Sequence, residues 1–435
     1  MGFKFKAIND LAMDSRIYLP RTCDTELQQF LASSGAVLIE GPKWCGKTST
    51  AIHASKSVIY LQDPDQSSSF LAMADTKPSL LLKGESPRLI DEWQMAPVLW
   101  DAVRFEVDKR AETGQFILTG SAVPADNLTA HTGTGRISRL KMRPMSLFES
   151  GESNGTVSLR DLFLGRQEET GVLSELSIEQ IAFVICRGGW PASINRKQTV
   201  ALRMAIDYVE AIINQDISQV DGVEKNPDRV RLLLRSLARN LSTTANYTTI
   251  REDIEATDLS ISDKTISSYM NALRRIFVVE DLPAWSPSLR SKTAIRNTEK
   301  RHFVDPSIAT AVMRLNPEGV LADFQYFGFL FESLCCRDLR IYAQANDGDV
   351  FHYRDKSGLE ADLIIRLRDG SWAAVEVKLG QKQIEEAAKN LLIFKNKVDS
   401  ERMGKVSFLM VLTGGQFAYR RNDGVWVIPI GCLRE

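Results

Sequence analysis

Runs of apolar residues in the first third of the chain predict buried strands. Three such runs, at 36–39, 89–90 and 116–118, each lead into polar or charged residues. Short continuous apolar runs are typical of parallel strands that are covered on both faces. Ligands of open parallel sheets bind at the carboxyl ends of the strands. We therefore expect the polar residues that follow the three runs to meet in one site.

In the middle of the chain the apolar residues recur with a helical period. From about residue 150 to 220, charged residues interrupt an apolar stripe, and the run 188–191, "GGWP", predicts a sharp turn that ends a helix. The segment 228–241 predicts an amphipathic helix. Its apolar face consists of Val230, Leu233, Leu234, Leu237 and Leu241.

A helix-turn-helix pattern follows this amphipathic helix. A short helix is predicted from Thr249, then a turn over 259–262 and a second helix over 263–275 with Ser262 as its N-cap. The apolar run 277–282 predicts a strand after the second helix. Two helices with a trailing β element are the arrangement of a winged helix.

A winged helix can bind duplex DNA or serve only for packing, and the sequence leaves both open. The segment after the second helix is basic, which suits phosphate contacts. Its cationic residues are Arg290, Lys292, Arg296, Lys300 and Arg301. The second helix would turn an apolar face to the core, namely Ile266, Tyr269, Met270 and Leu273. The face left for reading bases is small, and consists of Lys264, Ser267, Ser268 and Asn271.

The last third of the chain has charged residues inside apolar strands. Residues 327–343 are predicted as a helix running into a strand, and three further strands with turns between them follow. In the last of these, Val375 and Val377 share the buried face, and Glu376 and Lys378 share the other. A carboxylate and an ammonium group there are costly unless they pair, meet solvent or bind a ligand.

A hairpin would bring a second carboxylate to this charged pair. A turn at 369–370 sets the strand containing Asp362 beside the strand containing Glu376. Two carboxylates and a backbone carbonyl would give a divalent cation its oxygen ligands, and Lys378 would orient a water for attack on a phosphodiester. Glu332, on the preceding helix, could add a third carboxylate. The alternative is a simple surface ion pair between Glu376 and Lys378.

Composition limits the class of protein. With 435 residues, 44% hydrophobic and 25% charged, the chain is expected to form a globular protein of about two to four domains. The net charge is −1, so only a local basic patch could attract nucleic acid. Six cysteines without C-x-x-C spacing and four scattered histidines argue against zinc and disulfides and favour a reducing cytoplasm. No signal peptide is predicted, and no apolar run approaches the ~20 residues of a membrane helix.

The strongest motif is a glycine-rich loop after the first apolar run, Gly41-x-x-x-x-Gly46-Lys47-Thr48. It is a P-loop in its required setting of strand, loop and helix. The glycines let backbone N–H groups face phosphates, and the helix N-terminus adds its positive dipole end. Lys47 is predicted to bind the β- and γ-phosphates of ATP, and Thr48 to ligate Mg²⁺. The predicted nucleotide-binding residues are Gly41, Pro42, Lys43, Trp44, Cys45, Gly46, Lys47, Thr48, Ser49, Asp91 and Thr119.

The ends of the other two strands supply the remaining groups of a nucleotide hydrolase. Asp91 follows the second run and would hold Mg²⁺ through water. Glu92 beside it would polarise the attacking water as a general base. Thr119 or Ser121, after the third run, could sense the γ-phosphate. Arg136 or Arg139, further along, would serve as an arginine finger in the same chain or toward a neighbouring subunit, or would be an ordinary surface charge.

Four stretches resemble a prokaryotic AAA-type ATPase family in which a P-loop domain precedes a domain of unknown function. They are "IEGPKWCGKTS", "LIDEWQ", "FILTGSA" and "GRISRLKMRPMSLFE", and "RGGWPASI" and "YVEAIINQDISQV" are similar to the family's next landmarks. The resemblance extends over nearly the whole chain and implies that the strand bearing Gly135 and Arg136 carries the finger. The pattern of Asp362 followed by Glu376-x-Lys378 resembles restriction-endonuclease-like nucleases.

The predicted fold class is α/β with four parts. They are an N-terminal P-loop parallel-sheet ATPase domain (1–150), a helical lid or linker (151–224), a winged helix (225–305) and a C-terminal α/β restriction-endonuclease-like domain (306–435). The predicted catalytic residues are Glu92, Lys47, Arg136, Asp362, Glu376 and Lys378. The predicted metal ligands are Thr48, Asp91, Asp362 and Glu376.

The predicted function is ATP hydrolysis with Mg²⁺, coupled to the binding or processing of nucleic acid. Double-stranded DNA is the candidate partner, and a homo-oligomer is the expected state. The alternative is a nucleotide-gated switch or scaffold whose nuclease-like domain is a non-catalytic docking module. A small-molecule kinase is disfavoured, because Glu92 suits the activation of water.

Overall fold

The computed structural model has a mixed α/β fold and describes residues 18–121, 134–168, 171–220, 222–257, 261–288 and 295–435. The first elements are α1 (Cys23–Ser33), β1 (Ala36–Glu40), α2 (Lys47–Ala54), β2 (Ser57–Tyr60), α3 (Ser67–Thr76), β3 (Arg88–Asp91), α4 (Val98–Arg110), β4 (Phe116–Gly120) and β5 (Ile137–Lys141). Then follow β6 (Val157–Ser158), α5 (Leu159–Phe163), β7 (Val172–Leu173), α6 (Ile178–Arg187), α7 (Gln198–Ala211), α8 (Ile217–Gln219), α9 (Pro227–Arg239), α10 (Tyr247–Glu255) and α11 (Asp263–Arg275). The last elements are α12 (Pro306–Val312), α13 (Pro317–Ala322), α14 (Phe324–Ala345), β8 (Gly348–Arg354), β9 (Glu360–Leu367), β10 (Trp372–Lys378), α15 (Ile384–Lys397), α16 (Ser400–Met403), β11 (Phe408–Thr413), β12 (Phe417–Arg420), β13 (Trp426–Pro429) and β14 (Leu433–Arg434). Within these ranges no helix is long and apolar enough to cross a membrane.

The first five strands form a parallel sheet of order β2-β3-β4-β1-β5. Residues of β1 alternate between two cores: Leu38 packs with α4 on one face, and Val37 packs with α1 and α2 on the other. Because these strands are buried on both faces, they correspond to continuous apolar runs in the sequence. The carboxyl ends of β3, β4 and β1 are neighbours, so the predicted parallel sheet and the convergence of the three strand ends are confirmed.

The helices of the middle segment follow the predicted pattern. The apolar face of α9 is buried, as predicted, at Val230, Leu233, Leu234 and Leu237, and Leu241 just beyond its end is buried too. α6 ends before Gly188, whose φ of 75° lies in the left-handed region that commonly follows a helix. The sharp turn predicted there is confirmed.

α10 and α11 form the predicted helix pair. The hydroxyl of Ser262 accepts a hydrogen bond from the N–H of Thr265 at 3.1 Å, so Ser262 is the N-cap of α11. The predicted core face of α11 is buried at Ile266, Tyr269, Met270 and Leu273. Residues 258–260, which include part of the predicted turn, lie outside the described residues.

The strand predicted over 277–282 is wrong as a regular strand. The segment makes two isolated antiparallel bridges, Val279 with Phe303 and Leu282 with Lys300. Phe277 has a left-handed φ of 59°, which breaks the extended run at its start. The bridges nevertheless fix the backbone of Lys300 against that of Leu282.

The C-terminal strands form a seven-stranded mixed sheet of order β7-β12-β13-β11-β10-β9-β8. α14 covers one face and α15 the other. In β10, Val375 packs in the core on the α14 side and Ala374 in the core on the α15 side. Because both faces of β10 are covered, Glu376 is only 3% exposed.

α14 is one helix of 22 residues, so the prediction of a helix running into a strand within 327–343 is wrong. Every residue from Ser333 to Ala343 is buried. A helix that is covered all round lacks an amphipathic period, and a short apolar part of it cannot be told from a strand by pattern alone.

Several contacts cross the predicted domain limits. β6 pairs with β14 and β7 with β12, so the segment 151–224, predicted to be helical, adds strands to the C-terminal part. α12 packs against α7 and α9, although it follows the limit predicted at residue 306. One hydrophobic core extends from Leu147 to Leu433. The last two thirds of the chain therefore share a core.

Candidate active site at the P-loop and a second charged centre

The P-loop lies between β1 and α2, at the carboxyl edge of the parallel sheet. A Cβ atom on Gly41 would lie 2.1 Å from the carbonyl oxygen of Met142, so a larger residue does not fit there. Gly46 has a φ of 102°, a conformation that glycine adopts readily. Both glycines of the motif are thus required by the tight curl of the backbone.

Lys47 folds back over this loop. Its Nζ donates hydrogen bonds to the carbonyl oxygens of Gly41 at 2.9 Å and Pro42 at 2.7 Å. The side chain is buried, and its ammonium group lies within the loop. Phosphate oxygens could replace these carbonyls as acceptors without a large movement of the lysine.

Asp91, at the end of β3, is the centre of a hydrogen-bond network. Its Oδ1 accepts from the hydroxyl of Thr48 at 2.8 Å and from that of Thr119 at 2.7 Å. The amide Nε2 of Gln62 lies 3.4 Å from its Oδ2. Mg²⁺ typically takes one or two oxygens from a protein and completes its shell with water and phosphate. The hydroxyl of Thr48 and the carboxylate of Asp91 fit that requirement.

Glu92 follows Asp91 with a left-handed backbone, φ 55°. A non-glycine residue in this region costs about 1–3 kcal/mol, and such residues concentrate at functional sites. The N–H of Glu92 donates to the hydroxyl of Thr119 at 3.1 Å, and its Oε2 accepts from Gln94 and, at 3.3 Å, from Ser121. These bonds hold the Glu92 carboxylate beside the Asp91 network, where a general base would be needed.

Two P-loop side chains contact the middle segment. Lys43 Nζ lies 2.6 Å from Oδ1 of Asp216, which ends a π-helical turn after α7. The ring of Trp44 lies 5.6 Å from that of Tyr208 on α7. The sequence analysis missed both partners, because they are far away along the chain and belong to no motif. A change in the P-loop would act directly on α7 and the turn that follows it.

The other predicted P-loop residues frame the loop. Pro42 and Cys45 are buried, and Ser49 is exposed on the first turn of α2. The carbonyl of Cys45 accepts from Nη1 of Arg21 at 2.8 Å, and Arg21 also pairs with Glu149. Arg21 precedes the motif, so no sequence signal identified it as a support of the loop.

Each of the two candidate finger arginines is held by an ion pair within its own chain. Arg136 precedes β5, and its carbonyl accepts from the N–H of Ala36 at the start of β1. It therefore lies at the amino edge of the sheet, opposite the P-loop, and its Nε donates to Asp108 at 2.9 Å. Arg139 pairs with Glu40 at 3.0 Å. A finger role for Arg136 would have to be exercised on a neighbouring subunit.

The three residues predicted for the C-terminal centre lie together. Lys378 Nζ is 2.8 Å from Oε2 of Glu376 and 3.3 Å from Oδ2 of Asp362. The ion pair between Glu376 and Lys378 that was considered as the alternative is present, but Asp362 and Glu376 are both buried. Oε1 of Glu376 is buried and has no hydrogen-bond partner in the described part of the chain.

A second lysine completes this cluster. Lys300 is 6% exposed, and its Nζ lies 2.9 Å from Oε1 of Glu332 and 3.4 Å from Oδ1 of Asp362. We name these five side chains the acidic-lysine cluster: Glu332, Asp362, Glu376, Lys300 and Lys378. Over the described ranges, no group of three or more His, Cys, Asp or Glu side chains is placed to hold a metal ion.

Burial and neighbouring charge shift the pKa values within the acidic-lysine cluster. Burial alone would raise the pKa of Asp362, but the ammonium groups of Lys300 and Lys378 bring it below its usual range. Burial and the Asp362 carboxylate raise the pKa of Glu376. Burial also raises the pKa of Glu332 to about 7, against the opposing effect of Lys300. Such separated carboxyl pKa values occur at functional sites and in structural ion networks.

The structure revises the predicted basic face of the winged helix. Lys264, Ser268 and Asn271 on α11 are exposed, and Ser267 is partly exposed. Arg301 is buried and pairs with Asp281 at 2.7 Å, and Lys300 is buried too, so neither side chain is exposed for contact with phosphates. Arg296 is exposed, while Arg290 and Lys292 lie outside the described residues.

Three family models match separate parts of the chain. Residues 33–150 match an AAA domain, residues 178–319 a domain of unknown function (DUF8612), and residues 327–433 a second domain of unknown function (DUF4143). The first match contains the P-loop, Asp91 and Glu92, and so supports the predicted P-loop domain. The other two descriptions name neither a winged helix nor a nuclease.

Whole-chain similarity is weak. The uncharacterized proteins Rv2008c of Mycobacterium tuberculosis and Mb2031c of Mycobacterium bovis are each 22% identical over 415 residues, which is 94% of this chain and 83% of theirs. A Walker-type ATPase of Pyrococcus abyssi is 13% identical, with 67% of this chain and 94% of that chain covered and a TM-score of 0.39. Drosophila ORC bound to DNA is 14% identical, with 69% and 89% covered and a TM-score of 0.20. TM-scores this low do not establish a common fold.

The sheet order, the P-loop and the match over residues 33–150 agree with one another. Over residues 33–150, the N-terminal part of this mixed α/β chain is similar to an AAA domain.

Proposed function

We propose that this protein binds ATP with Mg²⁺ at the P-loop and hydrolyses it. The observation that carries the proposal is the network at Asp91, whose Oδ1 accepts from both Thr48 and Thr119 beside Glu92. Catalysis of phosphoryl transfer consists mainly of positioning and charge stabilisation. The network supplies both at the carboxyl ends of β1, β3 and β4.

Each residue has one role in the proposed reaction. Lys47 exchanges the carbonyls of Gly41 and Pro42 for the β- and γ-phosphate oxygens. Mg²⁺, when bound, neutralises charge that develops on the phosphates. Thr48 and Asp91 hold the ion, directly and through water. Glu92 takes a proton from the attacking water.

The test is the rate of ATP hydrolysis and the affinity for ATP in purified full-length protein. Lys47→Ala should abolish binding, because the phosphate contact is lost. Glu92→Gln should retain binding but lower turnover by about 10²-fold or more, the usual contribution of a general base. Lys56→Ala and Glu85→Gln, at exposed positions of the same domain, are matched controls that should behave as the wild type. Hydrolysis by Glu92→Gln at the wild-type rate would refute the role of Glu92.

We further propose that hydrolysis is coupled to duplex DNA through the exposed face of α11. Lys264, Ser268 and Asn271 form a polar exposed surface, which supports this partner. Duplex DNA should raise the ATPase rate, and Lys264→Glu should reduce that effect more than Lys405→Glu at a distant exposed position. An unchanged rate with DNA would favour the alternative, a nucleotide-gated switch or scaffold.

The acidic-lysine cluster supports a second candidate activity, metal-dependent cleavage of a phosphodiester. Asp362 and Glu376 would bind a divalent cation, and Lys378 would orient the attacking water. The observation that favours it is the buried, unpartnered Oε1 of Glu376, which could accept such an ion. Nicking of duplex DNA with Mn²⁺ and ATP should be lost in Asp362→Ala and Lys378→Ala. Absence of nicking in the wild type would favour a docking module.

A further inference from the structure

Lys300 reaches the acidic-lysine cluster from outside the C-terminal sheet. It lies in the segment between α11 and α12, and paired backbone hydrogen bonds with Leu282 at 2.8 and 3.0 Å fix its main chain. Its side chain then extends into the C-terminal core, where it is almost fully buried. Asp362, Glu376 and Lys378 come from β9 and β10, and Glu332 from α14. Lys300 is thus the member of the cluster contributed by the winged-helix segment.

The ammonium group of Lys300 lies between two carboxylates. Its Nζ is 2.9 Å from Oε1 of Glu332 and 3.4 Å from Oδ1 of Asp362. Asp362 presents its other oxygen, Oδ2, to Lys378. A divalent cation shared by Glu332 and Asp362 would need its ligand oxygens at about 2.0–2.6 Å, and so would occupy nearly the same space as Nζ. The ammonium group and the ion therefore exclude each other by volume and by charge.

Two observations indicate that the cluster has unused capacity for a cation. Three carboxyl groups face two ammonium groups, so one carboxyl group lacks an ammonium group of its own. Independently, Oε1 of Glu376 is buried without a partner, although Oε2 of the same group binds Lys378. A buried acceptor of this kind is costly unless something else binds it.

We propose that Lys300 is a tethered inhibitor of the nuclease-like centre. While it is inserted, its ammonium group takes the place of a divalent cation between Glu332 and Asp362. When the Lys300 side chain leaves this place while its main chain stays fixed, Glu332, Asp362 and Glu376 close around the ion. This inference rests on the proposed metal-binding role of Asp362 and Glu376, and it adds Glu332 as a ligand and Lys300 as the group that controls access.

The experiment measures Mn²⁺ binding to full-length protein without nucleotide, by the loss of the free Mn²⁺ signal in electron paramagnetic resonance. Lys300→Met keeps the apolar stem of the side chain and removes its charge. It should bind Mn²⁺ at least tenfold more tightly than the wild type and should show a Mn²⁺-dependent rise in melting temperature. Adding Asp362→Asn to Lys300→Met should abolish both effects.

The matched control is Lys397→Met. Lys397 pairs with the buried Asp355 in the same part of the chain but lies outside the acidic-lysine cluster. It should bind Mn²⁺ as weakly as the wild type. Equal gains in Mn²⁺ affinity in Lys397→Met and Lys300→Met would overturn the proposal, because the loss of any lysine paired with a buried carboxylate would then suffice.

A second variant keeps the test decisive if Lys300→Met does not fold. The double variant Lys300→Met/Glu332→Gln removes one charge of each sign and leaves Asp362 and Glu376 as ligands. It should also bind Mn²⁺ more tightly than the wild type, whereas Glu332→Gln alone should not. If the wild type clearly binds Mn²⁺ and both Lys300 variants bind it with the same affinity, the inhibitory role is refuted and the metal centre still stands. No Mn²⁺ binding in any variant would refute the metal centre itself, and the inhibition with it.

Discussion

Replacing Glu280 should loosen the contact between the P-loop domain and the rest of the chain. Its carboxylate lies 2.7 Å from Lys141 of β5, 2.7 Å from Arg143 and 3.7 Å from Arg340 of α14. The side chains of Glu280, Arg143 and Arg340 are 13%, 11% and 7% exposed, whereas that of Lys141 is 37% exposed. Glu280 thus joins cations from the first and last parts of the chain in a mostly buried cluster.

The loss of stability in Glu280→Gln can be worked out, because the substitution leaves these cations without their carboxylate. Removing one partner of a buried ion pair costs about 3–5 kcal/mol. Because Lys141 is partly solvated, we expect Glu280→Gln to lie at the lower end, about 3 kcal/mol, which is roughly a hundredfold in an equilibrium constant. For a domain of this size the first thermal transition should fall by about 6–12 °C. The population of the open form, measured by native-state proteolysis, should rise by about a hundredfold.

The pH dependence of stability gives a second measure of the contact that Glu280 makes. Burial alone would raise the pKa of Glu280, but Arg143, Lys141 and Arg340 lower it well below its usual value. A carboxyl group with a depressed folded pKa stabilises the fold above its unfolded pKa of about 4.3, and that contribution is lost as the pH falls toward the folded pKa. The difference in stability between the wild type and Glu280→Gln should therefore be full at pH 7 and shrink below about pH 4.3.

Asp207→Asn is the matched control for Glu280→Gln. Asp207 pairs with Arg203 on the surface of α7, where the two side chains are 49% and 68% exposed. An exposed pair of this kind contributes about 0.3–0.5 kcal/mol. A loss under about 1 kcal/mol in Glu280→Gln, or a difference from the wild type that does not change in acid, would show that the buried cluster behaves like a surface pair.

Two further predictions concern the P-loop and its neighbours. If Arg136 acts on the γ-phosphate of a neighbouring subunit, mixing Lys47→Ala with Arg136→Ala protein should restore part of the ATPase activity that each lacks alone; a mixture as inactive as its components would exclude a shared site. Asp216→Asn removes the partner of Lys43, whose side chain is 44% exposed, so ATP affinity measured by calorimetry should change by less than about fivefold. A larger change would mean that the turn after α7 positions the P-loop itself.

The contact between the P-loop and α7 suggests how nucleotide state could reach the middle of the chain. Lys43 and Trp44 belong to the loop that curls around the phosphates, and their partners Asp216 and Tyr208 belong to α7 and the turn after it. Tyr208 also packs against Trp190, with 4.3 Å between the ring centroids. A shift of the loop would therefore displace α7 and the helices that pack with it in the shared core.

The local parts of this protein could be predicted from its sequence. The P-loop, Asp91 and Glu92 were predictable because the motif requires strand, loop and helix within a short stretch, and parallel strands put their carboxyl ends side by side. The amphipathic faces of α9 and α11 were predictable because one face was buried and the other solvated. The meeting of Asp362, Glu376 and Lys378 followed from a hairpin, in which partners are close along the chain.

Which charges meet across long stretches of chain could not be predicted in this way, because it depends on how distant elements pack. Lys300 lies in a basic stretch of the sequence, which predicts a surface cation, yet it is buried between Glu332 and Asp362. The second half of α14 was indistinguishable from a strand because it is covered on all sides. The charge and hydrophobicity of a residue determine which partners it is able to bind. The packing of distant elements determines which of those partners lies next to it.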